Sequence, residues 1–416
     1  MKIALITNNY LPFVAGVPIS VNRLAVGLRE LGHTVYVFAP DYKNNGCDDE
    51  YTFRFPTMRS KIKNTIPIPI HAYSEITRKF DIADIDIIHV HHPVLIGYTA
   101  LHLAQKYHKP LVFTYHTRYE QYLHYLELYR SINKRAERGH RLEKAITNCL
   151  QQQLLPSYLG GFMKRCDMVF VPTESIRENL LPYNLNIPIR VIPTGLPESA
   201  FSMCKSSADI RRKFLNEKKY LFCTVSRLSK EKNLAFMLYG LALAKAQIGD
   251  CFNTIIIGDG PEKESLKHLA TDLGLENSVF FLGTIPNDQI VMYHGACDLF
   301  LFSSLTETQG IVLLEAMAAS LPVLGVKATG VSDVVKNGEN GFLTENDVDD
   351  WATKLILLLK KENRLADMRC EAKKTALQYT QQKIATKASE CYQEIIIKSL
   401  RNSTKRNITP NRGVFS

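Results

Sequence analysis

Residues 301–324 read LFSSLTETQGIVLLEAMAASLPVL and say most about how this chain folds. The apolar residues Leu299–Phe302 predict a buried strand, and the apolar run after Gly310 predicts a helix. Glu307 lies in the polar loop between them, and Glu315 lies about one turn into the helix. A strand, a loop with glycine and a helix start bring backbone N–H groups and the positive end of the helix dipole to one point. We therefore expect an anionic ligand there.

The two glutamates indicate what kind of ligand this is. Glu315 interrupts an apolar run, where a carboxylate is costly to bury unless hydrogen-bond donors meet it. Two carboxylates beside an anion-binding helix start suit a ligand that carries both phosphate and hydroxyl groups, as a nucleotide-sugar does. The alternative is structural, with Glu307 at the surface and Glu315 neutralised by a neighbouring lysine or arginine.

Length and composition favour two soluble α/β domains. The chain has 416 residues, of which 45% are hydrophobic and 22% charged, and it contains no apolar run near the roughly 20 residues of a membrane span. It opens directly on a strand rather than on a signal peptide. Its nine cysteines lack CxxC spacing, which is typical of reduced cytosolic thiols. His89, His91 and His92 have no accompanying ligand pair, so we expect no zinc site there.

Short apolar strands alternate with helical patterns, which predicts two doubly wound domains with parallel sheets. The first set of predicted strands is Ile3–Thr7, Thr34–Ala39, Ile85–His89, Leu111–Tyr115, Met168–Val171 and Arg190–Ile192. The second set, after the Pro/Gly-rich segment 193–197, is Tyr220–Val225, Thr254–Gly258, Val279–Leu282, Leu299–Phe302 and Pro322–Val326. We expect domains at 1–198 and 199–381, with ligands in a cleft between them, and a flexible basic tail at 402–416.

Two features follow strands of the first predicted domain. After its first strand, Leu11–Pro18 forms a turn into a helix, and Gly16 permits a closer backbone approach than a residue with a side chain. The pattern GxGxxG is absent, which disfavours a nicotinamide-binding fold. After the fourth strand, His116 can donate a hydrogen bond to a hydroxyl or a developing oxyanion. A lone histidine with a purely structural role is the alternative.

Basic residues and glycines follow strands of the second predicted domain. Val225–Asn233 reads VSRLSKEKN, in which Arg227 supplies a planar fork and Lys232 a point charge. A diphosphate needs such a pair when no metal ion is present. Gly258–Pro261 reads GDGP, a tight turn with little room for side chains. Basic residues in such loops are commonly only solvated, but here they coincide with the glycines and the two glutamates at successive strand ends.

In combination these motifs resemble the retaining glycosyltransferases of family 4, over residues 1 to about 395. The glutamate pair, SRLSKEKN and GDGP carry the resemblance. It implies the α/β architecture called GT-B, with two doubly wound Rossmann-like domains facing a cleft and a C-terminal helix, at about 382–400, that returns toward the first domain. It also implies a retaining hexosyltransferase that uses a nucleotide-sugar as its donor substrate and needs neither a metal ion nor another cofactor.

The resemblance also assigns roles to residues. Arg227 and Lys232 would hold the donor diphosphate and stabilise the leaving group. Glu307 would contact the transferred sugar, and the sequence leaves open that it acts as a nucleophile. The implied catalytic set is His116, Arg227, Lys232 and Glu307. The implied donor-binding set is Gly16, Arg227, Lys232, Gly258, Gly310, Ile311 and Glu315, of which Glu315 would bind the ribose hydroxyls.

Three positions depart from the family pattern. Ala15, Ser226 and Ser320 stand where many relatives have glycine. We expect Ala15 to reshape the acceptor loop and the two serines to leave activity intact.

The net charge of +10 is spread over several basic stretches, among them 54–63, 130–144 and 398–412. No zinc finger, RNP or basic-zipper motif accompanies them, so nucleic acid is not an expected partner. Tyrosines and leucines interleave with the bases at 119–155, which suits an anionic membrane surface, and the alternative is core packing with a solvated face. The residues expected to contact membrane or acceptor are Arg59, Lys61, Lys63, Tyr122, Arg130, Lys134 and Arg135.

Within the family, the segments TYHTRYEQYLHY, VFVPTESIRENL and VIPTGLP resemble bacterial glucosyltransferases that act on diacylglycerol. This implies transfer of a hexose, with UDP-glucose favoured, to a lipid such as 1,2-diacylglycerol by an enzyme peripheral on the inner face of the cell membrane. The alternatives are a glucosyl- or mannosyltransferase with a polysaccharide, lipid-linked or soluble acceptor, a GT-B nucleotide-sugar epimerase, and a catalytically silent scaffold that binds nucleotide-sugars.

Overall fold

The computed structural model describes residues 1–42, 48–58, 68–69, 72–119, 141–202, 206–360 and 364–408. The chain forms two compact units, and each is described by itself. The first unit comprises Met1–Pro172, Ile176–Gly195 and the chain from Gln382 onwards, and the second comprises Thr173–Ser175 and Leu196–Gln381.

The first unit contains a seven-stranded parallel sheet in the order β3-β2-β1-β6-β7-β8-β9. Its strands are β1 (Lys2–Ile6), β2 (Thr34–Pro40), β3 (Thr52–Phe55), β6 (Ile87–Val90), β7 (Leu111–Thr114), β8 (Met168–Val171) and β9 (Ile189–Val191). Six of these were predicted. The edge strand β3 was missed because TFRF is short and carries a charged residue. A two-stranded antiparallel sheet, β4 (Thr57–Met58) with β5 (Ile68–Pro69), follows it.

Helices cover both faces of this sheet, since its central strands β1, β6, β7 and β8 are almost entirely buried. They include Gly16–Glu30, Ala72–Ala83, Ile96–Tyr107, Arg141–Cys149, Leu155–Met163 and Gln381–Ile408. The last helix buries Ile384, Ala388, Tyr392 and Ile395 against the strands, so the C-terminal helix packs on the first unit as predicted. It ends at Ile408 rather than near 400, so the start of the expected flexible tail is helical.

The second unit contains a six-stranded parallel sheet in the order β12-β11-β10-β13-β14-β15. Its strands are β10 (Tyr220–Val225), β11 (Phe252–Ile257), β12 (Val279–Gly283), β13 (Leu299–Phe302), β14 (Val323–Val326) and β15 (Gly341–Thr344). Only the edge strand β15 was missed. The helices of the second unit include Ser206–Leu215, Leu234–Ile248, Lys263–Asp272, Ile290–Ala296, Ile311–Ala318, Val331–Val334, Val348–Lys360 and Arg364–Ala376. Both units are therefore Rossmann-like.

The strand order explains where polar loops meet. In each sheet the chain starts at a central strand, builds toward one edge, and then returns to the other side of that first strand. The pairs β1/β6 and β10/β13 flank these reversals, and their carboxyl-terminal loops diverge there to leave a crevice where ligands bind in doubly wound folds. The predicted donor-binding and catalytic residues lie on these loops, on those of the neighbouring strands, or in the helices that follow them, whereas the predicted membrane and acceptor residues fall outside the described residues.

Candidate functional site

A lysine and a glutamate from two different loops meet at the reversal in the second sheet. Lys232 ends the short 3₁₀ helix after β10, and Glu307 lies in the loop after β13. The ammonium Nζ of Lys232 is 2.5 Å from Oε1 of Glu307, and the two side chains are 20% and 17% exposed. They are separated by 75 residues in sequence, and the pairing of β10 with β13 brings them together. Of the four charged residues that the sequence predicts to be functional in the second domain, Arg227, Lys232, Glu307 and Glu315, the structure thus brings Lys232 and Glu307 into direct contact.

Serines after β13 fix the position of that lysine. The Ser303 hydroxyl donates to the backbone carbonyl of Lys232 at 2.7 Å, and the Ser304 hydroxyl donates to that of Glu231 at 3.4 Å. The Leu305 N–H donates to the same Glu231 carbonyl at 3.4 Å. These bonds tie the two loops together before any ligand is bound. The sequence does not predict this role, although both serines lie within the segment 301–324.

Two glycines after β11 make room for the loop that carries Arg227. A Cβ added at Gly258, whose φ is +134°, would lie 1.9 Å from the carbonyl oxygen of Ser226. A Cβ at Gly260 would lie 2.3 Å from that of Leu228. The contact is sealed by backbone bonds, with the Leu228 N–H donating to Asp259 at 3.0 Å and the Glu262 N–H donating to Leu228 at 3.0 Å. These glycines therefore shape the loop through the fold itself. Arg227 is exposed at its tip.

The helix Ile311–Ala318 begins as the sequence predicts. Gly310 is its N-cap, with φ +68° and ψ +56°, and no side chain caps the helix. Its first N–H groups therefore face an end where an anion is favoured. Glu315 is half-buried, as are Ile311, Val312 and Ala319 at helical spacing, whereas the positions between them are buried. The carboxylate thus lies on the one accessible stripe of the helix, so it does not bear the full cost of burial.

Two hydroxyls in these loops have no hydrogen-bond partner in the described part of the chain. They are Ser226 Oγ, directly after β10, and Thr306 Oγ1, beside Glu307. Buried polar atoms are normally satisfied, so each hydroxyl is a candidate contact for a ligand. Ser226 is a weak signal in the sequence, as a serine where many relatives have glycine, whereas Thr306 carries no such signal.

Four histidines meet at the reversal in the first sheet. His89, His91 and His92 lie at the end of β6, and His116 lies two residues after β7. Nδ1 of His91 is 2.8 Å from Nε2 of His116, and Nδ1 of His92 accepts a hydrogen bond from the Asn8 N–H at 3.1 Å. Burial lowers the pKa of His89 to about 3 and that of His92 to about 4. Burial also holds the pKa of His91 and of His116 well below the ordinary value of 6.5, with nearby imidazoles adding to the effect.

The fold does not require a glycine at position 16. Gly16 is the first residue of its helix, and a Cβ added there would meet no atom within 4 Å. The preceding loop exposes Phe13 and Val14. Gly16 therefore differs from Gly258, where a side chain would collide with the chain itself.

The predicted membrane and acceptor residues fall outside the described part of the chain. They are Arg59, Lys61, Lys63, Tyr122, Arg130, Lys134 and Arg135. Arg54, which begins the first basic stretch, is described: it forms an ion pair with Asp48 at 2.6 Å and donates to the Leu11 carbonyl at 2.8 Å. Arg54 thus anchors a loop. The described helices include none with the length and apolar character that a bilayer crossing demands.

Comparison with known families agrees with this geometry. Residues 14–199 match the family model of Glycosyltransferase Family 4, and residues 206–375 match the model of Glycosyl transferases group 1. The chain is a family 4 glycosyltransferase with the GT-B fold. Each Rossmann-like unit thus corresponds to one family model, and the residues Arg227, Lys232, Glu307 and Glu315 all lie within the second.

This glycosyltransferase is similar to two curated relatives and to one solved structure. It is 29% identical over 334 residues to the alpha-monoglucosyldiacylglycerol synthase of Streptococcus pneumoniae, covering 78% of this chain and 70% of the relative. It is 27% identical over 419 residues to the enzyme of that name from Acholeplasma laidlawii, covering 98% of this chain and all of the relative. The Anabaena protein HepE in complex with UDP superposes with a TM-score of 0.71 at 19% identity, over 95% of this chain and all of that one, which shows the fold alone.

Proposed function

We propose that this glycosyltransferase moves a hexose, with retained anomeric configuration, from a nucleotide-sugar to a lipid acceptor such as 1,2-diacylglycerol. UDP-glucose is the favoured donor. Diacylglycerol resides in membranes, so the enzyme works peripherally at the inner face of the cell membrane. The observation that carries the donor side is the pairing of Lys232 with Glu307, with Arg227 after the same strand as Lys232 and a helix after Glu307 whose N-cap is a glycine.

The second Rossmann-like unit supplies the groups that a departing nucleoside diphosphate needs. Arg227 and Lys232 follow the same strand, so a diphosphate at this edge would meet a guanidinium and an ammonium. The N–H groups of Gly310 and Ile311 would bind a phosphate at the helix start. Glu315, on the accessible stripe of the same helix, would accept hydrogen bonds from ribose hydroxyls. The hydroxyls of Ser226 and Thr306, which have no partner among the described residues, would complete these contacts.

The proposed reaction follows from the positive charges that would surround the diphosphate. As the glycosidic bond breaks, negative charge builds on the leaving diphosphate, and Arg227 and Lys232 stabilise it. The sugar becomes oxocarbenium-like, and the acceptor hydroxyl attacks from the face that the diphosphate leaves. A phosphate oxygen takes the proton of that hydroxyl. Glu307 holds Lys232 in place and contacts the sugar, while His116 hydrogen-bonds the sugar near the reacting carbon. The two cations replace a divalent ion, so no metal is needed.

The two alpha-monoglucosyldiacylglycerol synthases support the lipid acceptor. Both are named for a product that joins glucose to diacylglycerol, and the match to the Acholeplasma laidlawii enzyme spans all of that chain. A basic protein with a net charge of +10 is also suited to an anionic membrane surface.

One experiment tests the whole proposal. The purified enzyme is incubated with UDP-glucose, other UDP-sugars and GDP-mannose, each with a lipid extract, and the products are identified by mass spectrometry and by the anomeric proton coupling in NMR. An α-glucosyl diacylglycerol made from UDP-glucose is the expected product. A sugar isomer without a new glycosidic bond would identify an epimerase, and a product found only with a soluble or polysaccharide acceptor would refute the lipid assignment.

Two further measurements test the remaining parts. Transfer should proceed at the same rate after treatment with EDTA, and loss of activity that Mg²⁺ or Mn²⁺ restores would contradict the metal-independent mechanism. In liposome flotation the enzyme should bind anionic vesicles more strongly than neutral ones, with binding that weakens as salt rises. Equal binding to both vesicle types would refute the electrostatic membrane contact.

A further inference from the structure

His91 and His116 form a direct hydrogen bond between two imidazoles. Nδ1 of His91 lies 2.8 Å from Nε2 of His116, the ring planes are 25° apart, and the ring centroids are 5.1 Å apart. A nitrogen–nitrogen distance this short excludes face-to-face stacking, so the rings meet edge to edge. Such a contact needs one N–H and one lone pair. One ring must donate and the other must accept.

Both rings are neutral at neutral pH. Burial holds the pKa of each well below the ordinary 6.5, and neighbouring imidazoles would repel a charge on either ring. A neutral imidazole carries its proton on only one of its two nitrogens. The direction of the shared bond therefore fixes where His116 carries its proton.

The far side of His91 decides that direction. His91 is 1% exposed, and its Nε2 has no hydrogen-bond partner among the described residues. A buried N–H without an acceptor is rarer and more costly than a buried lone pair without a donor. The proton of His91 therefore belongs on Nδ1, from which it is donated to Nε2 of His116. His116 then carries its own proton on Nδ1.

We propose that His91 is a positioning residue that holds His116 in the tautomer protonated on Nδ1, so that His116 presents an N–H donor to the sugar. The contact with the sugar rests on the proposed function, but the tautomer does not. His89, whose ring is 4.2 Å from that of His91, provides a contrast. Its two nitrogens are within 2.6 Å of the Tyr392 hydroxyl and the Thr114 hydroxyl, so it is fully satisfied within the fold. Among the described residues the His91 side chain forms a single hydrogen bond, and that bond is to His116.

The tautomer can be measured directly by ¹⁵N NMR of the ligand-free enzyme labelled at histidine, with the His116 resonances assigned from the His116→Gln variant. In the wild-type enzyme at pH 7.5 we expect Nδ1 of His116 to be protonated and Nε2 to be unprotonated. In His91→Leu, which cannot donate, His116 should shift toward protonation at Nε2. In His91→Asn, whose amide can donate from the position of Nδ1, the wild-type pattern should be retained in part.

Kinetics then tests what the tautomer does. We expect kcat of His91→Leu for glycosyl transfer to fall about tenfold with little change in the KM for the nucleotide-sugar, and His91→Asn to recover part of the loss. His294→Leu is the matched control. His294 is also buried, its Nε2 has no hydrogen-bond partner among the described residues, and burial lowers its pKa to about 3, but it lies in the second unit. The His294→Leu enzyme should fold like the wild type and have the wild-type kcat.

Two results would overturn the proposal. Protonation of wild-type His116 at Nε2 would refute the tautomer, whatever the donor and acceptor prove to be. A His91→Leu enzyme with the changed tautomer but wild-type kcat would show that the bond is structural only, and would leave the glycosyl transfer itself untouched.

Discussion

The two sheets place opposite kinds of chemistry at the same point of their topology. At the reversal of the second sheet lie charged groups that are partly accessible, Arg227 and the pair Lys232–Glu307. At the reversal of the first sheet lie neutral imidazoles whose pKa values are lowered by burial. The first arrangement can stabilise a developing charge, and the second can hold a hydroxyl without adding charge. This difference fits a donor side that loses a diphosphate and an acceptor side that receives a sugar.

The largest expected effect comes from removing charge on the second sheet. Arg227→Ala should lower kcat/KM for transfer by about 30- to 1,000-fold, or ~2–4 kcal/mol of transition-state stabilisation, because a preorganised donor to the leaving diphosphate is lost. The loss should be measured as initial rates over a range of nucleotide-sugar concentrations. Wild-type turnover with every nucleotide-sugar tested would show that Arg227 has no part in the reaction.

A control for charge is available in the same unit. Arg212 is exposed and pairs with Asp209 on the helix Ser206–Leu215, away from the strand-end loops. Arg212→Ala should retain wild-type kinetics, because Arg212 is not part of the strand-end loops and an exposed ion pair at helical spacing contributes little to the free energy of unfolding.

The next effect concerns stability and the turn after β11. Gly258→Ala should destabilise the second unit by about 3 kcal/mol, because the new Cβ would collide with the Ser226 carbonyl and the positive φ is strained for alanine. Gly274→Ala is the matched control, since Gly274 has φ +65° but open space at the Cβ position, and it should cost only about 1 kcal/mol. Equal urea midpoints for the two variants would show that the contact with Ser226 is unimportant.

Acid should destabilise the first unit before the second. On unfolding, the buried histidines regain a pKa near 6.5, so the unfolded chain takes up protons below that pH while the folded unit does not. Stability is therefore complete above about pH 6.5 and decreases as the pH falls toward the folded pKa values of about 3 and 4. Each histidine contributes up to ~1.4 kcal/mol per pH unit. Among the described residues, His89, His91, His92 and His116 of the first unit have pKa values lowered strongly by burial, and burial also lowers the pKa of His33, whereas the second unit has His294.

The single tryptophan allows the units to be followed separately. Trp351 is buried in the second unit, so its fluorescence reports that unit, whereas far-UV circular dichroism reports both. At pH 5 the dichroism should begin to change at a lower urea concentration than the fluorescence, and the gap should be smaller at pH 7.5. Coincident transitions whose gap does not depend on pH would contradict this expectation.

A smaller effect is expected at the end of the helix Ile311–Ala318. Ser320 has φ +62° and closes this helix, its N–H donating to Met317 at 2.9 Å while the Leu321 N–H donates to Ala316 at 3.0 Å. Glycine is usual at this position of such a motif because a side chain is strained there. Ser320→Gly should therefore raise the free energy of unfolding by about 1 kcal/mol, seen as a higher urea midpoint with unchanged kcat.

Much of the fold could be predicted from the sequence, since parallel strands buried on both faces appear as short apolar runs. The two missed strands of the large sheets, β3 and β15, are edge strands of four residues, in which Arg54 interrupts the apolar run of β3 and the apolar run of β15 is limited to Phe342 and Leu343. Arg227, Lys232, Glu307 and Glu315 were found because charged residues beside strand ends stand out. The roles of Ser303 and of the bond between His91 and His116 were not found, because they depend on contacts between loops that are distant in sequence. Thr306 was not found either, because its burial without a hydrogen-bond partner among the described residues is visible only in the folded chain.

The smallest effect on stability should come from Gly16, which the structure contrasts with Gly258. Gly16→Ala adds a methyl group where no atom of the protein lies within 4 Å, at the start of a helix that favours alanine. Its urea midpoint should match the wild type within about 0.5 kcal/mol. If a donor phosphate or an acceptor approaches this backbone, transfer should nonetheless slow by about threefold, or ~0.6 kcal/mol. Unchanged kinetics would remove Gly16 from the site, whereas a large loss of stability would mean that the two glycines do not differ as the structure indicates.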